Sequence, residues 1–182
     1  MKFTGYLWRL LSFFCLIGLF GVAACNEDEE APGITNGFTV NGTFYPTQFG
    51  YFNERSLGQT VLFYELYISS EPIDLSDPDF LEGDFNSLDI LAFSLIPNQP
   101  DIIPMGTISY ADFSNPLLTE PSFFSTGGID LNINEENGVL LEIADGELTV
   151  QQQSEVYDLS FRLTTNDNEI ITGSFSGELI RN

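Results

Sequence analysis

The sequence predicts an all-β protein: a single antiparallel β-sandwich or calycin-like β-barrel of about eight to ten strands, placed after an N-terminal signal and a flexible tether. Two observations predict it. Residues 36 to 182 read as a series of short β-strands, alternating apolar and polar most cleanly in the C-terminal third, with no helical periodicity of useful length. The alternating runs are rich in Phe, Tyr, Ile, Leu and Val and are separated by turn formers such as Asn41-Gly42. The pattern alone does not separate a sandwich from a barrel.

The first run is GFTVNGTFYPTQFGYF. Asn41-Gly42 sits between Phe38-Thr39-Val40 and Thr43-Phe44-Tyr45, and both central positions of a two-residue hairpin turn need positive φ, which these residues tolerate. Residues 59 to 70, QTVLFYELYISS, carry apolar side chains on both faces. Val61, Phe63 and Tyr67 lie on one, and Leu62, Tyr64, Leu66 and Ile68 on the other. Such a strand is expected to be covered on both sides. Residues 87 to 97, SLDILAFSLIP, have the same character and end at a proline. Shorter strands are expected at MGTISYADF and GGIDLNIN.

The C-terminal third alternates most cleanly. Tyr157, Leu159, Phe161 and Leu163 share one face, and Ile171, Gly173, Phe175, Gly177 and Leu179 share another, with polar residues between them. Together with ELTVQQ these runs predict a three-stranded meander, with the polar TTNDNE as a hairpin and Phe161 and Phe175 in the core. Gly173 and Gly177 on the inner face leave room for large neighbours.

Residues 1 to 24 read as a signal peptide: Lys2 and Arg9, an apolar run to Phe20, then Gly21-Val22-Ala23-Ala24. The run is short for a transmembrane helix, which needs ~20 apolar residues. An ordinary signal peptide cut after Ala24 is the closer rival. The segment VAAC, however, places Cys25 where a lipoprotein signal peptidase requires it, and resembles the lipobox of bacterial lipoproteins, with Val22 in place of the usual leucine. That resemblance implies diacylglycerol on the Cys25 sulfur. Cys15 is the only other cysteine and falls inside the signal, so the mature chain is expected to hold no disulfide and no thiolate metal ligand. Residues 25 to 35 form a polar tether broken by Pro32 and Gly33. Its acidic cluster, Glu27, Asp28, Glu29 and Glu30, resembles the surface-export signal of Bacteroidota lipoproteins, which implies an outer-membrane, cell-surface location. A plain spacer is the alternative.

Charge excludes one class of partner. After residue 24 only Arg55, Arg162 and Arg181 oppose 27 acids, a net of −24. A nucleic-acid binder needs Lys and Arg to displace counterions from phosphates, and this chain has almost none. Membrane contact is therefore expected through the lipid anchor and not through anionic headgroups.

The NG-x-x-Y hairpin and the closing strand-turn-strand with its terminal G-x-F-x-G-x-L are similar to those of a group of small, mostly uncharacterised Bacteroidota lipoproteins. The likeness covers the two ends of the domain. It implies an all-β outer-membrane lipoprotein and carries no catalytic residues with it.

Composition narrows the chemistry. Past residue 25 there is no His, Cys, Lys or Trp, which removes Ser-His-Asp triads, Cys-His pairs, Lys Schiff bases and His- or Cys-ligated zinc. A pair of carboxylates, as in glycosidases, is the one catalytic apparatus left. Its best local candidate is Glu142, Asp145 and Glu147 in EIADGEL. Asp145-Gly146 reads as a hairpin turn, however, and solvated acid at that turn is the stronger reading. Asp74, Asp77, Asp79, Glu82 and Asp84 form a second acidic cluster with the oxygen chemistry of a Ca²⁺ site. The EF-hand pattern fails there, and a solvated loop is preferred, so no cofactor is expected. The aromatics Tyr45, Phe49, Tyr51, Phe52, Phe113, Phe123 and Phe124 suit a sugar- or protein-binding face, but in a domain without Trp they are more simply core. The expected function is a lipid-anchored, non-enzymatic surface binding or accessory module for a glycan or protein partner. The runners-up are a calycin-like barrel for a small apolar ligand and, behind it, a carboxylate glycosidase.

Overall fold

The computed structural model describes residues 35–57, 60–76, 85–99, 102–111, 120–132, 135 and 137–181. Eleven strands follow in chain order: β1 Gly37–Val40, β2 Thr43–Pro46, β3 Phe49–Leu57, β4 Thr60–Ser69, β5 Leu88–Ile96, β6 Gly106–Tyr110, β7 Ser122–Asn132, β8 Asn137–Gln153, β9 Val156–Thr165, β10 Ile170–Glu178 and β11 Ile180–Arg181. The fold is all-β, as the alternation requires. All eleven strands belong to one strongly curled sheet, in the order β11-β3-β4-β5-β7-β6-β8-β9-β10-β1-β2, with β7 also paired to β8.

Two features correct the sequence-based expectation. The sheet is mixed and not purely antiparallel: β6 runs parallel to β7, and β11 parallel to β3. The described residues also form eleven strands against the about eight to ten expected, and the two-residue β11 is too short to show a repeating pattern. The β11 pairing shapes the molecule. β11 continues β10 past Leu179, so one chain segment bonds to β9 and β1 along β10 and then to β3 at Tyr51 and Phe52. Strands from both ends of the order thus meet on the last segment of the chain.

The local signals hold where the residues are described. Asn41 and Gly42 have φ of 50° and 81°, and Val40 pairs with Thr43, so β1 and β2 form the expected tight hairpin. β8, β9 and β10 form the antiparallel meander. Asp145-Gly146 does not turn, which corrects the hairpin expected there. β8 runs straight through it, and the register shifts between Ile143 and Asp145. A β-bulge absorbs the extra residue, with Gly146 at φ 153°.

The concave side of the sheet holds the main core. Phe38, Leu66, Ile68, Leu91, Phe93, Phe123, Leu148, Leu163 and Ile171 are fully buried there, joined by Phe161 and Phe175. Full burial of each such side chain contributes about 1.5–3 kcal/mol. Phe93 is the hub, with ring centroids 6.2 Å from Phe123 and 5.1 Å from Phe161. Glycine makes the space. A Cβ on Gly173 would lie 2.6 Å from the Phe161 ring, and one on Gly50 would lie 2.5 Å from the Phe175 ring. The inner-face glycine at 173 therefore does what its place in the alternation suggests. Tyr51, Phe52 and Phe123 are core, as preferred over an exposed aromatic face; Tyr45, Phe49 and Phe124 are only partly buried, and Phe113 lies outside the described residues.

Candidate functional site

β4 and β5 are apolar on both faces, so something must cover their convex side. A second cluster does so in part: Tyr51, Tyr67, Ile73, Leu88 and Ile90 are buried there, with Leu75 and Phe85 against them. Residues 70 to 76 lie over this face, held by the Ile73 N–H, which donates to the Tyr51 phenol oxygen at 2.9 Å. The expectation that residues 59 to 70 are covered on both sides is met at Tyr64, Leu66 and Ile68 within and Tyr67 without.

Beside this cover the convex face carries an open hollow of about 320 Å³. Register explains it. Cross-strand pairing aligns Asn53, Glu65, Ser94 and Phe124 in one row; Tyr51, Tyr67, Ala92, Thr126 and Glu142 in the next; and Phe49, Ser69, Ile90, Gly128 and Leu140 in a third. The middle of each row is small: Ser94, then Ala92 and Thr126, then Gly128. The flanks are tall, so the floor sinks between Tyr67 and Glu65 on β4 and Leu140 on β8. Leu131 closes one end. Its side chain lies flat over Gly128, where a Cβ would sit 2.4 Å from Leu131 Cδ1. Leu140, at 74% exposure, is the most open large apolar residue among the described residues.

A buried carboxylate fixes the Leu131 wall. The β7 register shifts between Ile129 and Asn132, and Asp130 takes a left-handed φ of 52°. The Asp130 N–H donates to Asp89 Oδ1 at 2.9 Å, while the Asp89 N–H donates to Ser70 Oγ at 2.9 Å. Ser87 Oγ donates to Asp130 Oδ1 at 2.9 Å. Burial pushes the Asp89 carboxyl above its ordinary range, opposed by the Asp130 N–H and assisted by the neighbouring Asp130 charge.

The opposite corner is polar. Arg55 Nε donates to Glu65 Oε2 at 2.8 Å in an ion pair, and Asn53 Nδ2 donates to the same oxygen at 3.2 Å. The Glu65 hydrogen bond and charge raise the Arg55 guanidinium further. Tyr67 is pushed up to about 12, first by burial and then by the Glu65 charge, so its phenol stays neutral at the edge of the hollow.

The residues singled out from sequence fall elsewhere. Glu142, Asp145 and Glu147 all sit exposed on the outer side of β8, because the bulge brings Glu142 onto the face of the other two. Glu142 accepts from Asn166 Nδ2 at 2.9 Å, and Asp145 Oδ1 accepts the Gly146 N–H at 2.8 Å. Of the three, Glu142 alone pairs with a residue of the hollow's floor, Thr126. Of the acidic loop, Asp74 is described; it takes the Ser76 hydroxyl and N–H in a local turn, which hold its carboxyl below the usual range. Asp77, Asp79, Glu82 and Asp84 lie outside the described residues, as do Cys25, Glu27, Asp28, Glu29 and Glu30. Among the described residues no group of three or more His, Cys, Asp or Glu side chains is placed to hold a metal ion. A further recess of about 280 Å³ lies where Gln152, Glu155 and Glu178 meet Arg181, whose guanidinium stands 5.1 Å from the Phe52 ring centroid.

Sequence reasoning missed the hollow. The only trace is that small Ala92 and Ser94 share the outer face of β5 with bulky Ile90. The partner strands that complete the floor come from residues more than thirty positions away, which alternation does not reveal. The fold and site define an all-β domain with one curled sheet, a hydrophobic core on its concave side and an apolar recess on its convex side. Comparison with known proteins returns no significant match, whether to a family model, a curated protein or a solved structure.

Proposed function

We propose that the chain is a lipid-anchored, cell-surface binding module of the bacterial outer membrane, without enzymatic activity or a resident cofactor, and that the convex hollow is where it binds. One observation carries the binding reading: the concave side buries the main hydrophobic core, while a recess of about 320 Å³ stays open on the convex side. That volume falls within the range of small-molecule sites, roughly 300–1,000 Å³, and the apolar lining with a few convergent polar groups matches their usual character. The anchor reading rests on VAAC at Cys25, and surface display rests on Glu27, Asp28, Glu29 and Glu30. The non-enzymatic reading rests on the lack of His, Lys and free Cys past residue 25 and on the solvated setting of Glu142, Asp145 and Glu147.

We read the curled sheet as calycin-like rather than a sandwich, since β11 continues β10 and bonds to β3. Mass spectrometry of membrane-extracted protein tests the anchor: diacylated Cys25 at the mature N-terminus is expected, and any other N-terminus overturns it. Protease added to intact cells tests display. Neutralising residues 27 to 30 should protect the protein from it, and equal cleavage of both versions refutes the export role. Titration with 1-octanol tests the hollow. Saturable binding that Ala92→Phe abolishes is expected, and the absence of saturable binding in the parent overturns the site.

A further inference from the structure

We infer that the hollow selects cationic amphiphiles, with the apolar body on the Ala92–Thr126 floor and the positive end at its carboxylate rim; this deepens, and rests on, the reading of the hollow as the binding surface. The uncompensated acid lies on the β8 side: Glu142 pairs directly across from Thr126 of the floor, while Glu65 on β4 is neutralised by its ion pair with Arg55. The intervening row, Tyr67–Ala92–Thr126, offers an aromatic face and a hydroxyl but no charge. A neutral tyrosine ring is itself attractive to a cation.

The cations that would oppose this are few and badly placed. Arg55 lies near the rim but is tied to Glu65. Arg162 and Arg181 stand on β9 and β11, neither of which lines the hollow. Past residue 24 the chain carries a net charge of −24. A field of one sign raises the local concentration of counter-charged ligand and lowers that of like charge, and salt screens it. An apolar recess would take any amphiphile by burial alone. In this setting an anionic head meets Glu142 and the chain's net negative charge, a neutral head meets neither penalty nor gain, and a cationic head meets attraction.

The test uses the full chain carrying Cys25→Ala, so that no acyl chain competes for the hollow, titrated with three octyl probes below their micellar range: octyltrimethylammonium, 1-octanol and octanoate. The ammonium probe is expected to bind on the order of tenfold more tightly than octanoate at low salt, with 1-octanol between them, and the gap should shrink as salt rises. Glu142→Gln, beside the lining and not part of it, should narrow the gap and leave 1-octanol unchanged. Leu140→Ser, on an exposed wall, should weaken all three alike. Equal affinity for the three probes, or a gap that Glu142→Gln leaves intact, overturns the charge selection while the hollow stands. No binding of any probe, or binding indifferent to both Leu140→Ser and Ala92→Phe, overturns the hollow itself. Self-association of the parent that Leu140→Ser abolishes would assign the recess to a second copy of the chain and overturn the amphiphile reading.

Discussion

The C-terminal meander and the β3–β4–β5–β7 face are built from the same kind of strand and solve different problems. In β9, Tyr157, Leu159, Phe161 and Leu163 go inward, and the residues between them are partly or fully exposed. One face is buried and the other wet, so nothing further is needed. In β4 and β5 the outer face is apolar as well, and the chain spends residues 70 to 76 and Phe85 covering part of it. The cover stops short of Ala92, Ser94 and Thr126, and the hollow is what remains. A one-faced strand reports its environment in its own sequence. A two-faced strand reports only that a second layer exists, and where that layer ends is decided by other parts of the chain.

The comparison can be broken most forcefully in the meander. Phe161→Ala or Phe175→Ala should each cost about 3–5 kcal/mol, from lost transfer energy plus a cavity, out of a total stability of roughly 5–15 kcal/mol for a domain. A chemical denaturation series reads this, and a Phe175→Ala variant as stable as the parent would mean that the faces of β10 are misassigned. The convex layer should respond less. Tyr51→Phe leaves the buried Ile73 N–H without its acceptor, a cost of about 1–3 kcal/mol. If denaturation midpoints do not move, residues 70 to 76 do not depend on that bond.

Asp89 sharpens the contrast through pH. Its folded pKa is raised by burial above the ordinary carboxyl value. The folded state therefore binds its proton more tightly than the unfolded one, and the stability this contributes is present below the unfolded value and lost as pH rises through the folded one. The melting temperature of Asp89→Asn should thus fall less than the parent's between about pH 4 and pH 7, since the amide oxygen can still accept the Asp130 N–H and carries no charge to desolvate. Parallel pH profiles would show that the carboxylate is solvated despite its position. The smallest effect is expected at Leu140→Ser. With a side chain 74% exposed, it should shift stability by less than about 0.5 kcal/mol while changing the hollow, and a larger loss would mean the wall is part of the core.

By itself the sequence determined the all-β class, the Asn41-Gly42 hairpin, the inward faces of β9 and β10 and the burial of Phe161 and Phe175. These are local matters: period-two alternation and turn chemistry act over a few residues, and one-sided burial leaves a readable trace. Even there it misread Asp145-Gly146, because a turn and a bulge ask for the same residues and differ only in what the neighbouring strand does. Tertiary structure alone decided the single mixed sheet, the parallel pairs at β6 and β11, the face of Glu142 and the hollow. Each depends on register between segments far apart in the chain. The floor of the recess needs Ala92 of β5 beside Thr126 of β7, and Gly128 between Ile90 and Leu140. Small residues mark no site until cross-strand pairing sets them side by side, and that pairing is selected by the burial of the opposite face of the sheet.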